Sequence, residues 1–263
     1  MRATRPLNRP RLWGLGALLS LCLPVAASAQ MAPGAIWDWQ LSGPFDLSRS
    51  VAVYDLDPDN HSATEIAVLK ARGVTPVCYV SVGTVEDWRD DVAAFPAEVV
   101  GRVYGDWPDE KFLDLRRRDV LLPIMQARFA RCRDMGFAAI EPDNQDVYDN
   151  DSGFDISAED TVVYLSALAD LAHGMGLMIG QKNVPDLTRA LVSKMDFVIT
   201  EGCFVDGWCD AVSAYAAVGK PIFAAEYTDT PVRFAAACAY GAEKGVSFIL
   251  KDRDLTDALQ TCP

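Results

Sequence analysis

Acidic residues follow three apolar runs of the chain, each where a buried strand is expected to end. Residues 141–146 hold three acids and two amides directly after the apolar run 137–140, and Glu201 and Glu226 end two further runs. A barrel of alternating strands and helices builds its active site from residues at the carboxyl ends of its strands. Paired carboxylates are the catalytic groups of glycoside hydrolysis. The pattern therefore predicts carboxylate chemistry at one mouth of a barrel.

Asp143 and Glu201 are the candidate catalytic pair, since they end the fourth and sixth predicted strands. Asp143 would be the nucleophile and Glu201 the general acid and base, or the pair would act by inversion through water. The first route needs carboxyl groups roughly 5 Å apart and the second roughly 6.5–9.5 Å. The sequence leaves both routes open. For any single acid, an ion pair or a helix cap is the alternative role.

Lys182 and Asn183 end the fifth predicted strand, between the two catalytic strands. Lys182 would lower the pKa of a carboxylate or bind a hydroxyl, and Asn183 can donate and accept hydrogen bonds toward a sugar. A strand-end turn with a structural ion pair is the alternative. Further polar and aromatic side chains complete the predicted substrate-binding rim: Asp55, Asp57, Tyr79, Asp146, Glu226 and Tyr227. Each of these could instead cap its own loop.

Residues 37–41 precede the first predicted strand with no room for a helix between. They would add a short strand or fold over one mouth of the barrel. Trp37 and Trp39 beside Gln40 suggest a platform on which pyranose rings stack, so Trp37 and Gln40 are predicted to bind substrate. Apolar filling of the barrel is an equally good interpretation of the tryptophans.

The predicted fold is a single α/β domain, a (β/α)8 barrel. Eight apolar runs read as strands: 51–55, 74–80, 112–115, 138–141, 177–181, 197–201, 221–226 and 247–250. Helices lie between them, with capping boxes predicted at Ser62 and Ser157 and a helix start at Thr230 followed by Pro231. Alternation of this kind implies parallel strands and right-handed crossovers. An open doubly wound sheet is the alternative.

The sequence offers few residues for the other common mechanisms of hydrolysis, those of serine hydrolases and metal-dependent hydrolases. The chain has two histidines, His61 and His173, and neither follows a strand. This disfavours a serine hydrolase, which needs a histidine base, and a histidine-rich metal site. Residues 149–153 lack the glutamate and the spacing of an EF-hand calcium loop. The residues therefore favour neither a histidine-rich metal site nor an EF-hand.

The first 29 residues have the pattern of a secretory signal peptide. Four arginines precede an apolar run, and Ala27-Ser28-Ala29 is typical of a cleavage site. We expect cleavage after Ala29, a catalytic domain over residues 30–263, and a secreted or periplasmic protein. An uncleaved membrane anchor is the alternative, although the run is short for a membrane span.

The mature chain would be strongly acidic. The formal net charge is −13, and removing four arginines and no acids makes it −17. Such a surface repels nucleic acid and anionic lipid and attracts cations. We expect a cationic polysaccharide as the partner, no nucleic acid, no membrane contact after cleavage, and a monomer. General solubility explains the charge equally well.

Six cysteines remain in the mature chain, and an even number in an exported protein favours disulfides. Six thiols allow fifteen pairings. Cys203 and Cys209 close a short loop and form the first predicted pair. Cys238 with Cys262 is the second, and Cys78 with Cys132 is the remainder. Zinc-ribbon spacing does not occur.

An ordered set of short motifs resembles glycoside hydrolase family 114, the endo-α-1,4-polygalactosaminidases. In the first half these are Trp37-Asp38-Trp39-Gln40-Leu41, Tyr54-Asp55-Leu56-Asp57, Cys78-Tyr79-Val80-Ser81-Val82-Gly83, Glu86-Asp87-Trp88-Arg89 and Phe112-Leu113-Asp114-Leu115-Arg116. In the second half they are Gly136-Phe137, Glu141-Pro142-Asp143-Asn144-Gln145-Asp146, Gly180-Gln181-Lys182-Asn183, Glu201-Gly202-Cys203, Cys209 and Glu226-Tyr227. They span residues 37–227.

The resemblance implies a (β/α)8 barrel that cleaves α-1,4-linked galactosamine or partly deacetylated N-acetylgalactosamine polymers from within, without a cofactor. It places the two catalytic carboxylates on Asp143 and Glu201. A mouth lined by acids would then hold cationic sugars. A polysaccharide-binding protein without catalysis, on the same barrel, is the competing hypothesis, and a metal-dependent barrel hydrolase is the third.

Overall fold

The computed structural model describes residue 1 and residues 31–105 and 107–263. Its strands are β1 Trp37–Gln40, β2 Val53–Leu56, β3 Thr75–Ser81, β4 Thr84–Glu86, β5 Val100–Tyr104, β6 Trp107–Leu113, β7 Ala139–Asp143, β8 Met178–Lys182, β9 Phe197–Glu201, β10 Ile222–Tyr227, β11 Val246–Lys251 and β12 Gln260–Thr261. Nine of them form one sheet in the order β1-β2-β3-β7-β8-β9-β10-β11-β12. The first eight pair in parallel, and β12 is antiparallel to β11.

Contacts between β1 and β11 bring the two sides of the sheet together into a nearly closed barrel. The Trp37 indole Nε1 donates to the Ser247 carbonyl at 2.9 Å. The Lys251 ammonium is 2.9 Å from the Asp38 carboxylate, and both side chains are fully buried. A buried ion pair of this kind holds its two strands in one register, because separating the charges would leave each one uncompensated. The predicted α/β barrel is confirmed.

Six α-helices connect the strands: α1 Ala63–Ala71, α2 Arg118–Met135, α3 Ala158–Gly174, α4 Thr188–Leu191, α5 Ala214–Ala217 and α6 Phe234–Lys244. Short 3-10 turns cover Pro58–Asn60, Val92–Ala94, Ala97–Val99, Val147–Asp149, Pro185–Leu187 and Cys209–Val212. The capping boxes predicted at Ser62 and Ser157 are both present. The helix start predicted at Thr230 is wrong, because α6 begins at Phe234. Thr230 Oγ1 instead donates to the Tyr227 carbonyl.

One predicted barrel strand is wrong. Residues 112–115 overlap β6, which pairs antiparallel with β4 and β5 in a separate three-stranded sheet. The first barrel strand is β1. It comes from residues 37–41, for which the sequence predicted either a short strand or a segment folded over one mouth of the barrel. The exchange keeps the number of barrel strands at eight, so Asp143 still ends the fourth and Glu201 the sixth.

The two-residue period of the strands places every second side chain inside the barrel. The interior core contains Trp37, Val53, Phe197 and Phe223 among others, with ring centroids of Trp37 and Phe223 5.2 Å apart. Residues one position along, such as Tyr54, face the helices in the larger core. The inward positions nearest the carboxyl ends of the strands carry the polar groups described below.

All three predicted disulfides are present: Cys78–Cys132, Cys203–Cys209 and Cys238–Cys262. The first fixes β3 to α2, the second closes the loop after β9, and the third attaches α6 to the chain near β12. Within the part of the chain that the structure describes, no helix is long and apolar enough to cross a membrane. The predicted signal peptide lies outside the described residues, except for Met1.

Candidate active site

Lys182 occupies the centre of the site. Its ammonium Nζ lies 2.8 Å from Glu141 Oε1, 2.8 Å from Asp143 Oδ1 and 3.2 Å from Glu201 Oε2. The side chain is 1% exposed, and Nζ stands 4.2 Å from the centre of the Trp39 ring. Burial disfavours the charged ammonium, but the three carboxylates outweigh burial and raise the pKa of Lys182. A buried cation therefore joins the two candidate catalytic acids.

Asp143 is held by both of its carboxylate oxygens. Oδ1 accepts from Lys182, and Oδ2 accepts from the Tyr79 hydroxyl at 3.1 Å. The side chain is 18% exposed and faces the cavity. Two donors, one to each oxygen, fix the orientation of the Asp143 carboxyl group at the edge of the cavity.

Glu201 is also held at both oxygens, but from the other side of the mouth. Oε1 accepts from the Tyr227 hydroxyl, and Oε2 accepts from Asn183 Nδ2 at 3.0 Å and lies near Lys182. Burial acts to raise the pKa of Glu201, while the Lys182 charge and the donors from Tyr227 and Asn183 lower it. The lowering effects prevail.

The backbone after β8 is bent to bring Asn183 onto Glu201. Asn183 and Val184 have φ angles of 52° and 40°, a left-handed conformation that is unusual for a β-branched residue such as Val184. Asn183 Oδ1 accepts from the Glu201 backbone N–H at 2.9 Å while Nδ2 donates to its carboxylate. The strained turn therefore positions one amide to hold the general-acid candidate at two points.

A pair of fully buried acids, Asp55 and Glu141, lies beneath the catalytic carboxylates. Burial, followed by the nearby Glu141 carboxylate, raises the pKa of Asp55 well above its usual range. Burial likewise raises the pKa of Glu141, and Lys182 opposes that rise. Two buried carboxylates so close together oppose each other's ionisation, and of the two Glu141 is the one that contacts the Lys182 ammonium. Glu141 in turn orients Lys182.

The mouth above these groups is a cavity of about 910 Å³. Of the substrate-binding residues predicted from the sequence, it brings together Asp57, Tyr79, Asp146, Lys182, Asn183 and Tyr227 around Asp143 and Glu201. Such a volume is in the range of small-molecule and oligosaccharide sites. No group of three or more His, Cys, Asp or Glu side chains in residues 31–105 and 107–263 is arranged to hold a metal ion.

Four of the predicted substrate-binding residues do not line the cavity, for reasons of register and depth. Glu226 is one position away from inward-facing Tyr227, so it points outward and accepts from the Phe204 and Val205 N–H groups. Gln40 is likewise displaced and binds the Pro44 carbonyl and the Tyr54 hydroxyl. Trp37 and Asp55 face inward but are buried below the cavity. For Trp37 the structure matches the interpretation of apolar filling.

Trp39, from the predicted stacking platform, also lines the cavity. Several other lining residues were not predicted from the sequence: Trp88, Arg89, Tyr104, Trp107, Glu110, Asn144 and Arg253. Five of them belong to residues 84–113, which form the small sheet between β3 and α2 or the chain within it. Reading residues 112–115 as a barrel strand placed the preceding residues at the wrong end of the barrel. The aromatic and acidic hairpin 104–110 was the sequence signal that could have revealed them.

Arg89 neutralises one side of the cleft. Its guanidinium binds Glu86 at 2.7 Å, Asp57 at 2.8 Å and Asp59 at 2.6 Å. It also lies over the Tyr79 ring, 5.7 Å from its centre. The acids on this side are therefore compensated within the protein, as the catalytic pair is compensated by Lys182.

Comparison with known proteins agrees with this geometry. The model of Glycoside-hydrolase family GH114 matches residues 22–263. The structure of Aspergillus fumigatus Ega3 in complex with galactosamine is 31% identical, covers 88% of this chain and 96% of that one, and superposes with a TM-score of 0.82. The glycoside hydrolase domain of PelA from Pseudomonas aeruginosa is 18% identical, covers 87% and 99% of the two chains, and has a TM-score of 0.69.

The PelA likeness establishes the shared fold. No curated protein matches the chain. The family match extends over almost the whole length of the chain, and the Ega3 match covers most of both proteins. By these two matches, the chain belongs to glycoside hydrolase family 114 and is a glycoside hydrolase.

Proposed function

We propose that the protein cleaves α-1,4-linked galactosamine polymers, or their partly deacetylated N-acetylgalactosamine forms, at internal bonds. The observation that carries the proposal is the pair Asp143 and Glu201, joined by buried Lys182 at the base of an open cavity. The match to a galactosamine-bound relative at 31% identity supports the substrate class. An open cleft suits a polymer that is bound in the middle rather than at its end.

A retaining mechanism is supported by the short distance between the two candidate catalytic acids, since both contact the same ammonium group. Lys182 Nζ is 2.8 Å from Asp143 Oδ1 and 3.2 Å from Glu201 Oε2, so these two oxygens are separated by at most the sum of the two, 6.0 Å. Inverting enzymes place their carboxyl groups roughly 6.5–9.5 Å apart to admit a water, and retaining enzymes roughly 5–5.5 Å apart. The bound applies to the two oxygens that face Lys182, and such a close approach is compatible with the shorter separation of a retaining pair.

The proposed steps follow from these positions. Glu201 gives a proton to the glycosidic oxygen while Asp143 attacks the anomeric carbon, so the bond to the leaving sugar breaks as a glycosyl-enzyme ester forms. Glu201 then takes a proton from water, whose oxygen replaces Asp143 at the anomeric carbon. Two displacements restore the original α configuration and return both acids to their starting states.

The test is product analysis by mass spectrometry on partly deacetylated α-1,4-galactosaminogalactan. Wild type should release oligosaccharides, while Asp143→Asn and Glu201→Gln should lose activity on the order of a thousandfold or more. Asp170→Asn and Glu243→Gln make the same chemical changes at exposed positions and should cut normally. Polymer that wild type binds but does not cut would favour the binding-protein hypothesis, and an effect of chelator on cutting would favour the metal-dependent hydrolase.

Stereochemistry is tested separately by NMR of the first-formed products. An α anomer appearing before mutarotation is expected for retention. A β anomer appearing first would indicate inversion, and Asp143 would then act as a general base on water instead of as a nucleophile.

Charge complementarity gives a second test of the substrate class. Galactosamine amines are cationic near neutral pH, and the cleft and the chain as a whole are acidic. Affinity for the deacetylated polymer should therefore fall as salt rises, because ions screen exposed charges. Binding that is insensitive to salt would contradict recognition by charge.

We also propose that the protein is exported and that residues 1–29 are removed. The three disulfides support this, because they form and persist in oxidising compartments. Amino-terminal sequencing of the protein recovered from its source should begin at Gln30. Recovery of an intact amino terminus with the membranes would favour the uncleaved anchor.

A further inference from the structure

Glu110 differs from Asp57, Glu86 and the two candidate catalytic acids, which also line the cleft. It lies on β6, is 8% exposed and lines the cavity. Glu86 and Asp57 are paired with Arg89, and the catalytic acids with Lys182. No cationic side chain within residues 31–105 and 107–263 forms an ion pair with Glu110. It is a buried carboxylate without a counter-ion, beside the catalytic centre.

Neutral donors hold Glu110 in place. Its Oε2 accepts from Thr84 Oγ1 at 2.7 Å and from Asn144 Nδ2 at 3.2 Å. Thr84 Oγ1 is in turn 2.6 Å from Ser81 Oγ, which anchors the group to the end of β3. The described residues leave Oε1 without a donor. Burial, helped by the nearby Glu86 and Asp143 carboxylates, raises the pKa of Glu110 to about 7, and the Thr84 hydrogen bond and the more distant Arg89 charge offset this rise only in part.

The same contacts place Glu110 beside the proposed nucleophile. Asn144 directly follows Asp143, and its amide binds Glu110. In a sugar whose anomeric carbon meets Asp143, C2 is bonded directly to that carbon, so the nitrogen on C2 is two bonds away. A group next to Asp143 is thus positioned to contact the substituent at C2. In galactosamine this substituent is an ammonium, and in N-acetylgalactosamine it is a neutral acetamide.

We propose that Glu110 binds the C2 ammonium of the sugar attacked by Asp143, and that this contact makes the cleft select free amines over acetylated ones. The inference rests on the proposed function and adds the residue that reads the amine. The ammonium supplies the cation that Glu110 lacks, and a charged hydrogen bond to a desolvated carboxylate is stronger than one from a neutral donor. The acetamide brings no charge and adds bulk against the same wall.

The test compares an α-1,4-galactosamine oligosaccharide with its fully N-acetylated counterpart. For Glu110→Gln we expect KM on the galactosamine oligomer to rise about tenfold, and KM on the acetylated oligomer to stay within about twofold. Glutamine has the shape of protonated Glu110, so the fold is retained, and the thermal unfolding midpoint verifies this. Glu243→Gln is the matched control on an exposed helix end, and it should change neither KM.

Equal changes on the two oligomers, or none on either, would overturn the role of Glu110. Glu110→Asp keeps the carboxylate on a shorter stem and should preserve part of the preference for the free amine. Loss of the preference in Glu110→Asp while it persists in Glu110→Gln would also overturn the role. Wild type that cuts neither oligomer would instead defeat the proposed function, whereas equal KM values on both would defeat the inference alone.

Discussion

Lys182 contacts both candidate catalytic acids from a position that solvent barely reaches. Its ammonium is shared among Glu141, Asp143 and Glu201, and only about 1% of its side chain is exposed. The Lys182 charge contributes to lowering the pKa of Glu201, although in its proposed role as general acid Glu201 must carry a proton when substrate binds.

This conflict predicts an acidic pH optimum. The pKa of Glu201 lies below its ordinary value of 4.5, so its protonated fraction falls as pH rises through that lowered value. We therefore expect kcat/KM to increase as pH is lowered from 8 toward about 4. The measurement is kcat/KM from pH 3 to 8. A basic limb of the pH profile centred at or above about pH 7 would contradict the assignment of Glu201 as a general acid whose pKa is lowered by Lys182.

Removing the Lys182 ammonium should shift the basic limb of the kcat/KM profile along the pH axis. In Lys182→Met the burial of Glu201 is no longer opposed by a nearby cation, so its pKa rises and the basic limb shifts to higher pH. We expect kcat to fall about tenfold or more as well, because Asp143 loses one of its two donors. Lys194→Met, at a side chain that is 46% exposed, should leave the profile unchanged. Lower activity with an unmoved limb would make Lys182 a packing residue only.

At the scale of elements, strand register decides which predicted residues reach the cleft. The sequence showed where strands end, and this sufficed for Asp143, Lys182 and Glu201, which all occupy inward positions. Glu226 ends its apolar run as convincingly as Glu201 does. It faces outward because β10 extends one residue further, to Tyr227. Which of two adjacent end residues turns inward depends on pairing with neighbouring strands, and apolar composition alone does not reveal that pairing.

The insertion after β3 explains what the sequence missed. The barrel strand β1 is only four residues long and carries two polar residues, while residues 112–115 are mostly apolar and buried. Composition therefore favoured the wrong segment. Asp38 is tolerated in β1 because Lys251 and Arg49 bind it, a contact across more than 200 positions for Lys251. Long-range pairing of this kind is not visible in a local pattern.

Close packing of the loop after β3 against the catalytic loop predicts an intolerant glycine. A Cβ at Gly83 would lie 1.6 Å from the Asn144 carbonyl oxygen, well inside contact distance. Gly83→Ala must push away the segment that carries Asp143 and Asn144. We expect a loss of about 2–4 kcal/mol in the free energy of unfolding and at least a tenfold fall in kcat.

The control is Gly174→Ala at the end of α3, where a Cβ meets nothing within 4 Å. Alanine there should be neutral or stabilise by up to about 1 kcal/mol. Chemical denaturation and kcat of the two variants decide the matter. If Gly83→Ala and Gly174→Ala have the same free energy of unfolding and the same kcat, the loop after β3 can shift to accommodate a methyl group without disturbing the site.

For the whole molecule, the acids fall into two groups with opposite effects on stability. Asp55, Glu141, Glu110 and Asp146 have raised pKa values, chiefly because they are buried. Asp59 and Asp91 have lowered pKa values, because paired arginines outweigh burial at Asp59 and reinforce hydrogen bonding at Asp91. The buried acids with raised pKa values therefore ionise at a higher pH than the formal net charge of −13 assumes.

These shifts predict that stability peaks in the acidic range. An acid with a raised folded pKa contributes stability that is fully present below its unfolded pKa and is lost as pH rises through the folded value. For Glu110 that loss lies between 4.5 and about 7. Acids with lowered pKa values lose their contribution only as pH falls through those low values. We therefore expect the unfolding midpoint to be highest near about pH 5 and to decline toward pH 8.

Glu110→Gln tests the origin of that decline, because glutamine cannot ionise. It should remove part of the fall between pH 5 and pH 8, by about 1–3 kcal/mol in the free energy of unfolding. Glu243→Gln, at an exposed carboxyl, should leave the curve unchanged. Denaturation from pH 3 to 9 makes the comparison. Wild-type stability that stays level or increases from pH 5 to 8 would show that the buried acids are ionised and compensated, which would also remove the counter-ion argument for Glu110.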